Sequence, residues 1–259
     1  MLAIYRKEMR SYFINPIGYV YLGIFLVFSA LLCCYTTIIA GTYDTADYFV
    51  FLTLAFIILI PILTMRLFAE ERKLRTEQLL LTAPVSITGM VLGKYFAALT
   101  MFVGGVVISC INFIPLYVIS NAENADTESI RAAVMNIGPV TGQLIGSIIA
   151  IILMGAALIA IGTLISSLCE NQLSAAVITI GVIAAMVLLN LLNQLKDSDG
   201  QPLIGWYPVR AAIDWVSIVS RFSAFSSGVF DYASLLYYCS LAFIFLFLTV
   251  RVYEKRRWG

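Results

Sequence analysis

Residues 66–87 read RLFAEERKLRTEQLLLTAPVSI and contain seven of the chain's 31 charged residues, which are 16 Lys or Arg and 15 Asp or Glu. Long apolar runs precede and follow this segment. Of the 259 residues, 61% are hydrophobic and only 12% are charged, whereas soluble domains carry roughly 25% charged residues. Because a water-facing surface cannot be built from this composition, the sequence predicts a protein surrounded mostly by lipid.

Six apolar runs are long enough to cross a bilayer, since about 20 apolar residues span its hydrocarbon core as a helix. They cover residues 17–39, 49–65, 87–119, 140–168, 173–192 and 235–252. The third run contains Asn112 and Pro115, which predict a kink. Unpaired backbone groups are costly in lipid, so every run is expected to be helical. The expected fold class is an all-α polytopic membrane protein, with one transmembrane domain over residues 1–259.

The positions of Lys and Arg predict the orientation of these spans. If both termini lie inside, all but four of the 16 Lys and Arg residues lie inside with them. The four outside are Arg131, Lys196, Arg210 and Arg221. The positive-inside rule therefore predicts cytoplasmic termini and a cytoplasmic connection at 66–86.

Two further segments are amphipathic but too polar to cross the membrane. In residues 1–14, one helical face carries Leu2, Tyr5, Met9, Tyr12 and Phe13, which is typical of a helix lying on the inner leaflet. Residues 215–229 predict a short re-entrant helix in the outer leaflet, just before the sixth span. Its apolar residues are Trp215, Ile218, Val219, Phe222, Phe225 and Val229.

Two groups of residues within the spans leave alternatives open. Gly142 and Gly146 form a GxxxG motif, in which small residues let helices approach closely. This motif serves either packing within one subunit or an interface between subunits. Asn190, Asn193 and Gln194, at the outer end of the fifth span, either line an exit path or end the helix at the lipid headgroups.

The sequence argues against an enzyme and against a nucleotide site in this chain. It has no histidine, which removes the commonest general base and metal ligand. The segment GMVLGKY, residues 89–95, has three residues between its glycines where a phosphate-binding loop has four, and Tyr95 follows the lysine in place of Ser or Thr. We therefore expect no cofactor bound by this chain, and the net charge of +1 gives no reason to expect a nucleic-acid partner. Energised work would require a separate ATPase chain.

The charged segment 66–86 suits a docking surface for such a chain, because charged groups give orientation and specificity at an interface. Thr76 is expected to cap a short helix, which Pro84 ends. The alternative is an ordinary solvated loop. Since cytoplasmic side chains are expected to contribute little to the packing of the spans, joint charge reversal of Glu71 and Arg72 should leave membrane insertion intact and disrupt docking.

Four blocks of the sequence resemble the membrane subunits of type-2 ATP-binding-cassette (ABC) exporters, and they are closest to the gliding-motility-type permease branch. The blocks are PILTMRLFAEERKLRTEQLLLTAPVSITGMVLGKYFAAL (61–99), SSLCENQLSAA (166–176), RFSAFSSGVFDYASLLYY (221–238) and FLTVRVYEKRRW (247–258). They occur in the expected order and extend over nearly the whole chain.

The resemblance implies six transmembrane helices, an N-terminal interfacial helix and a location in the cytoplasmic membrane of a bacterium. It implies a complex of two permease subunits, identical or related, with two ABC ATPase subunits that bind ATP and Mg. It also implies an ATPase-coupling region containing Glu70, Glu71, Arg72, Thr76, Gln78, Leu79, Leu80 and Pro84, together with Glu170, Asn171 and Gln172. The commoner family pattern is Gly-Thr-x-Glu, so Arg75 stands where Gly is usual and Gln78 where Glu is usual.

The expected function is that of a permease subunit in an ATP-driven exporter. It would couple hydrolysis by a separate ATPase to extrusion of a substrate that the sequence does not identify. The alternative is a membrane scaffold that anchors an ATPase and an extracytoplasmic machine and transmits force between them. An integral-membrane enzyme is the third possibility, and the missing histidine disfavours it.

Overall fold

The computed structural model describes residues 1–78, 85–126, 139–194, 217–222 and 231–258, and also residues 208, 210, 213 and 225. All regular secondary structure within these residues is helical. The α-helices are α1 (Leu2–Ile14), α2 (Pro16–Cys33), α3 (Ala46–Thr64), α4 (Ala69–Lys73), α5 (Ile87–Ser109), α6 (Ile114–Asp126), α7 (Thr141–Leu168), α8 (Gln172–Gln194) and α9 (Tyr232–Trp258).

Six helical stretches are long and apolar enough to cross a membrane. They are Pro16–Ile39, Ala46–Thr64, Ile87–Ser120, Thr141–Leu168, Gln172–Asn193 and Tyr232–Arg257. The first combines α2 with a π-helix at Cys34–Ile39, and the third joins α5 to α6. The expected fold class, an all-α polytopic membrane protein, is confirmed.

The third stretch is interrupted where the sequence predicts a kink. A 3-10 turn at Cys110–Phe113 separates α5 from α6, immediately before Pro115, which has no N–H to donate. The Nδ2 of Asn112 donates to the Oγ of Ser29 in α2 at 2.8 Å. That oxygen also lies 2.8 Å from the hydroxyl of Tyr48 in α3. The polar groups at the kink are thus hydrogen-bonded, and they join three helices in the apolar interior.

Helix α7 lies at the centre of the bundle. In its most apolar 18-residue window 67% of the residues are buried, against 22% in the corresponding window of α9. Gly155 faces the Phe102 ring of α5, and Gly162 faces Thr64 of α3, so closely that a Cβ at either glycine would overlap these side chains. Small residues therefore allow α3 and α5 to pack directly against α7.

The GxxxG residues at the start of α7 do not make such contacts. No described atom lies within 4 Å of a Cβ built on Gly142, and the only one near Gly146 is the carbonyl oxygen of Phe225, at 3.9 Å. Close packing inside the described part of the subunit thus depends on Gly155 and Gly162. A role for Gly142 and Gly146 in an interface between subunits stays a prediction.

The apolar stripe of α1 contacts the helix bundle. The Tyr5 hydroxyl lies 3.1 Å from the Oγ1 of Thr100 in α5, and the Tyr12 hydroxyl donates to the carbonyl of Leu63 in α3 at 3.2 Å. Burial raises the pKa of Tyr12, so this hydroxyl stays protonated and acts as a donor. The exposed side of α1 carries Leu2, Arg6, Lys7, Arg10, Phe13 and Ile14. Protein therefore covers Tyr12 and part of Tyr5 and Met9, whereas Leu2 and Phe13 of the stripe stay exposed, and the contact of α1 with the inner leaflet stays a prediction.

The segment before α9 also packs onto the protein. The Tyr238 hydroxyl of α9 donates to the carbonyl of Ile218 at 2.7 Å. The Nδ2 of Asn190 in α8 donates to the Oγ of Ser217 at 2.9 Å, so this asparagine binds the segment. Its described buried apolar residues are Ile218, Phe222 and Phe225, whereas Trp215 and Val229 lie outside the described residues.

Candidate functional site

Three charged parts of the chain meet at one end of the bundle. They are α1, the segment 66–78 after α3, and the last turns of α9. The Nζ of Lys7 in α1 lies 3.2 Å from a carboxylate oxygen of Glu71. A guanidinium nitrogen of Arg256 in α9 lies 3.1 Å from a carboxylate oxygen of Glu77. The predicted coupling region is therefore at the same end as both termini.

A buried serine of α7 fixes the start of α4. The Oγ of Ser166 accepts hydrogen bonds from the backbone N–H of Phe68, at 3.2 Å, and of Ala69, at 3.3 Å. The Ser166 hydroxyl donates to the carbonyl of Met65 at 3.3 Å. The first N–H groups of a helix have no partner within it, so this side chain both satisfies α4 and sets its position on α7.

Helix α4 ends in a Schellman motif. The N–H of Thr76 donates to the carbonyl of Glu71 at 2.9 Å, and the N–H of Arg75 donates to the carbonyl of Arg72 at 3.0 Å. Arg75 has a φ of 56°, the left-handed conformation that this position requires and that glycine adopts without strain. This geometry gives a physical reason for the glycine that is usual at this position.

Arg72 joins α4 to the turn between α7 and α8. Its Nη1 donates to the carbonyls of Leu168 and Cys169 at 3.1 and 3.3 Å. Its Nη2 lies 3.9 Å from the carboxylate of Glu170. The last carbonyls of a helix lack intrahelical partners and carry partial negative charge, so they stabilise the guanidinium. The two predicted coupling loops, 66–86 and 170–172, are thus in direct contact.

The end of α9 completes this arrangement. The Nη2 of Arg256 donates to the carbonyl of Ser167 at 2.7 Å. One turn earlier, the Tyr253 ring packs against Phe68 in a tilted arrangement, with ring centroids 4.9 Å apart. Glu77 accepts from Arg256 and also lies 3.4 Å from the Nε of Arg72. This carboxylate therefore pairs with two arginines from different segments.

Lys94 of α5 lies in the interior, with 1% of its side chain exposed. Its Nζ contacts Glu8 of α1 at 3.1 Å and Glu71 of α4 at 3.0 Å. It also donates to the carbonyl of Leu67 at 2.6 Å. The expectation that the charged side chains of 66–86 contribute little to packing is wrong for Glu71, because reversing its charge would put a cation beside buried Lys94.

An open cleft of about 570 Å³ adjoins this network of ion pairs and hydrogen bonds. Its lining residues are Arg72, Lys73, Arg75, Glu77, Gln78, Glu170 and Asn171. Lys73 and Arg75 are exposed, and neither forms an ion pair with any described residue. Leu74 lies between them with 63% of its surface exposed. The cleft is thus lined by exposed positive charge, and Leu74, which is not one of its lining residues, is an accessible apolar side chain next to them in the sequence.

The predicted coupling residues fall into four groups. Those that line the cleft are Arg72, Gln78, Glu170 and Asn171. Three others bond within the chain. Glu70 lies 3.0 Å from Arg66, and Glu71 lies 3.0 Å from Lys94. The Thr76 hydroxyl donates to the Glu71 carbonyl at 3.4 Å. Gln172 begins α8, and Leu79, Leu80 and Pro84 lie outside the described residues, as does most of the helix predicted after Thr76.

Sequence reasoning missed Lys94, Glu8 and Ser166 as parts of this site. A lysine within an apolar run was a usable signal, because ionisable residues in membrane segments generally have a specific partner. Ser166 gave none, since serine is common in packed membrane helices. Among the residues that the structure describes, no cluster of His, Cys, Asp or Glu could hold a metal ion.

These features define a polytopic helical membrane protein whose charged loops gather into one surface with a cleft. Residues 35–253 match the family described as ABC-2 family transporter protein. The match covers most of the chain, so the chain belongs to this family. It is therefore a membrane permease subunit of an ABC transporter, and it associates with an ABC ATPase. No curated protein matches the chain.

Proposed function

We propose that this chain is the permease of an ATP-driven exporter of the gliding-motility-type branch, and that its ATPase docks at the cleft. Two cytoplasmic ATPase subunits bind ATP and Mg, and this chain binds neither. It pairs with a second permease, identical or related. The complex lies in the cytoplasmic membrane of a bacterium, with both termini and the cleft inside.

The observation that carries the proposal is the composition of the cleft. Two loops that are about 100 residues apart in the sequence, 72–78 and 170–171, line it together. The contacts of Arg72 with the second loop join them into one surface. Lys73 and Arg75 give this surface positive charge that no described carboxylate pairs, and Leu74, between them in the sequence, adds exposed apolar area next to the lining residues. Specific interfaces combine an apolar anchor with charges that orient the partner.

The contacts at this end of the bundle also support the orientation. The ion pairs Lys7–Glu71 and Arg256–Glu77 put both chain ends beside the cleft. Six crossings return the chain to the side on which it began. The excess of Lys and Arg at this end supports a cytoplasmic location, where an ATPase and its nucleotide are available.

A paired substitution tests the docking surface. Lys73→Glu with Leu74→Ala changes two exposed side chains that form no ion pair and do not belong to the core. We expect the variant to be membrane-inserted and monodisperse, but to lose co-purification of the co-expressed ATPase. The matched control is Lys255→Glu with Ile14→Ala, which makes the same chemical changes at exposed residues outside the cleft.

If both variants retain the ATPase and its hydrolysis equally, the cleft is only a solvated surface and the docking proposal fails. Binding of nucleotide by the purified chain alone would contradict the assignment of ATP to the partner. The scaffold alternative uses the same docking surface but moves no solute. ATP-dependent flux in liposomes that contain the complete complex distinguishes export from force transmission.

A further inference from the structure

The buried Lys94 group connects three segments that the cleft alone does not join. Lys94 is the eighth residue of α5, Glu8 belongs to α1, and Glu71 belongs to α4. The Lys94 ammonium group has three N–H donors, and three acceptors surround it: the carboxylates of Glu8 and Glu71 and the carbonyl of Leu67. The Nζ also lies 5.1 Å from the centre of the Phe68 ring. Every strong contact of this side chain is therefore accounted for.

The charges in this group balance. Lys7 lies 3.2 Å from Glu71 and 3.8 Å from Glu8, so two cations face two carboxylates. Burying a charge is costly unless it is paired and hydrogen-bonded. Moving Glu71 away from Lys94 would leave the buried ammonium with Glu8 as its one described carboxylate partner and would upset the charge balance, so the ion group opposes a shift of α4 independent of α5 and α1. The group therefore favours motion of the three segments as one body.

The group is not needed merely to fill space. Well-packed apolar residues often replace a buried ion pair at no loss of stability, whereas removing one partner alone is strongly destabilising. What an ion group provides in addition is a defined register between the segments that carry it. Here that register relates the helix beside the cleft to the third membrane span and to the N-terminal helix.

We infer that Lys94 is a positioning residue for coupling: with Glu8 and Glu71, it makes α4 transmit displacement by the ATPase to α5 and α1. The inference rests on the proposed docking of an ATPase at the cleft. It concerns a separate route from the contacts of Arg72 and Ser166, which connect α4 to α7.

A neutral triple variant separates positioning from stability. Glu8→Gln, Glu71→Gln and Lys94→Met together remove the ion group without leaving an unpaired buried charge. Spin labels at positions 10 and 73, both exposed, report the distance between α1 and α4 in the chain alone, reconstituted in lipid nanodiscs. The exposed cysteines Cys34 and Cys239 are replaced by alanine in every sample.

We expect a single narrow distance in the otherwise unchanged chain and a broadened distribution in the triple variant. The matched control is Arg251→Gln with Glu254→Gln, which neutralises an exposed pair 2.7 Å apart in α9 and should leave the distribution narrow. If the triple variant does not fold, Glu71→Gln alone gives the same comparison, because Lys94 keeps its partner Glu8. An unchanged narrow distribution in the variant that folds overturns the inference.

A second label pair, at positions 10 and 255, tests transmission in the complex with the ATPase. We expect trapping of ATP to shift this distance in the wild-type permease, and the shift to be lost in the triple variant although the ATPase still co-purifies. A wild-type shift retained by the triple variant, or no shift in the wild type, overturns the inference. If no ATPase binds the wild type, the docking proposal fails, and the distances in the chain alone still decide whether Lys94 joins α1 to α4.

Discussion

Arg75 is a residue whose backbone conformation conflicts with its side chain. It ends α4 with a φ of 56°, and the N–H groups of residues 75 and 76 close the Schellman motif. A residue with a Cβ costs about 1–2 kcal/mol in the left-handed region. The chain keeps an arginine there, and its exposed side chain lines the cleft, so local strain coincides with positive charge at the proposed docking surface.

We expect Arg75→Gly to stabilise this turn by about 1 kcal/mol, because glycine adopts the left-handed conformation without a steric cost. Slower amide exchange at Thr76, whose N–H donates to the Glu71 carbonyl, would measure the effect. The reciprocal control is Gly41→Ala. Gly41 has a φ of 64° with open space around it, so alanine should destabilise that turn by a similar amount. Faster exchange at Thr76 in Arg75→Gly would contradict the account.

Residue-level roles were only partly predictable. The charge of segment 66–86 and the unusual identity of residue 75 were visible in the sequence, but the pairing of Glu71 with Lys94 was not. These two residues are 23 positions apart and belong to different helices, so no local periodicity relates them. Only the tertiary fold, which brings the Glu71 carboxylate within 3.0 Å of the Lys94 Nζ, determines that one carboxylate of the charged segment points inward while Lys73 stays exposed.

At the scale of elements, local chemistry predicted more. Runs of apolar residues gave the six long helices, and Asn112 with Pro115 gave the interruption between α5 and α6. The π-helix at Cys34–Ile39 was not predicted. There, the hydroxyls of Thr36 and Thr37 donate to carbonyls four residues earlier, a bond that threonine also makes in ordinary helices. The positions of threonine in the sequence therefore cannot distinguish a π-helix from an α-helix.

The sequence pattern also could not predict whether the apolar face of a helix is covered by protein or by lipid. The periodicity of α1 indicated which residues share a side, but protein and lipid both accept an apolar stripe. The bonds from Tyr5 to Thr100 and from Tyr12 to Leu63 show that protein covers part of the stripe, whereas Leu2 and Phe13 stay exposed. Similarly, the GxxxG motif was the most visible small-residue pattern, whereas Gly155 and Gly162 make the close contacts of α7.

We expect Gly162→Ala to destabilise the contact between α7 and α3, because the added Cβ would overlap Thr64. Overpacking of this kind costs about 1–3 kcal/mol, partly offset by the higher helix propensity of alanine. Thermal unfolding of the purified chain in detergent measures it. The control Gly142→Ala adds the same group where no described atom is near and should not lower stability. Equal stability of the two variants would show that close packing at Gly162 is unimportant.

At the scale of the whole molecule, ion pairs bring distant parts of the chain to one end. Lys7 and Arg256 belong to the first and last helices, and both pair with the segment 66–78. The sequence could assign these parts to one side only by assuming an even number of crossings. The ion pairs show that these parts lie at the same end of the protein, whatever the number of membrane crossings. Which end faces the cytoplasm still has to be inferred from the uneven distribution of Lys and Arg.

This asymmetry predicts which end faces the cytoplasm, and single cysteines measure it. We expect a cysteine at position 126 to react with a membrane-impermeant maleimide added to intact cells. A cysteine at position 73 should react only after the membrane is permeabilised, because the cleft then becomes accessible. Both variants carry alanine at the exposed native cysteines, Cys34 and Cys239. Complete labelling of each variant after permeabilisation controls for reactivity. Labelling from outside at position 73 but not at 126 would reverse the orientation, and would remove the ATPase from the side on which the cleft lies.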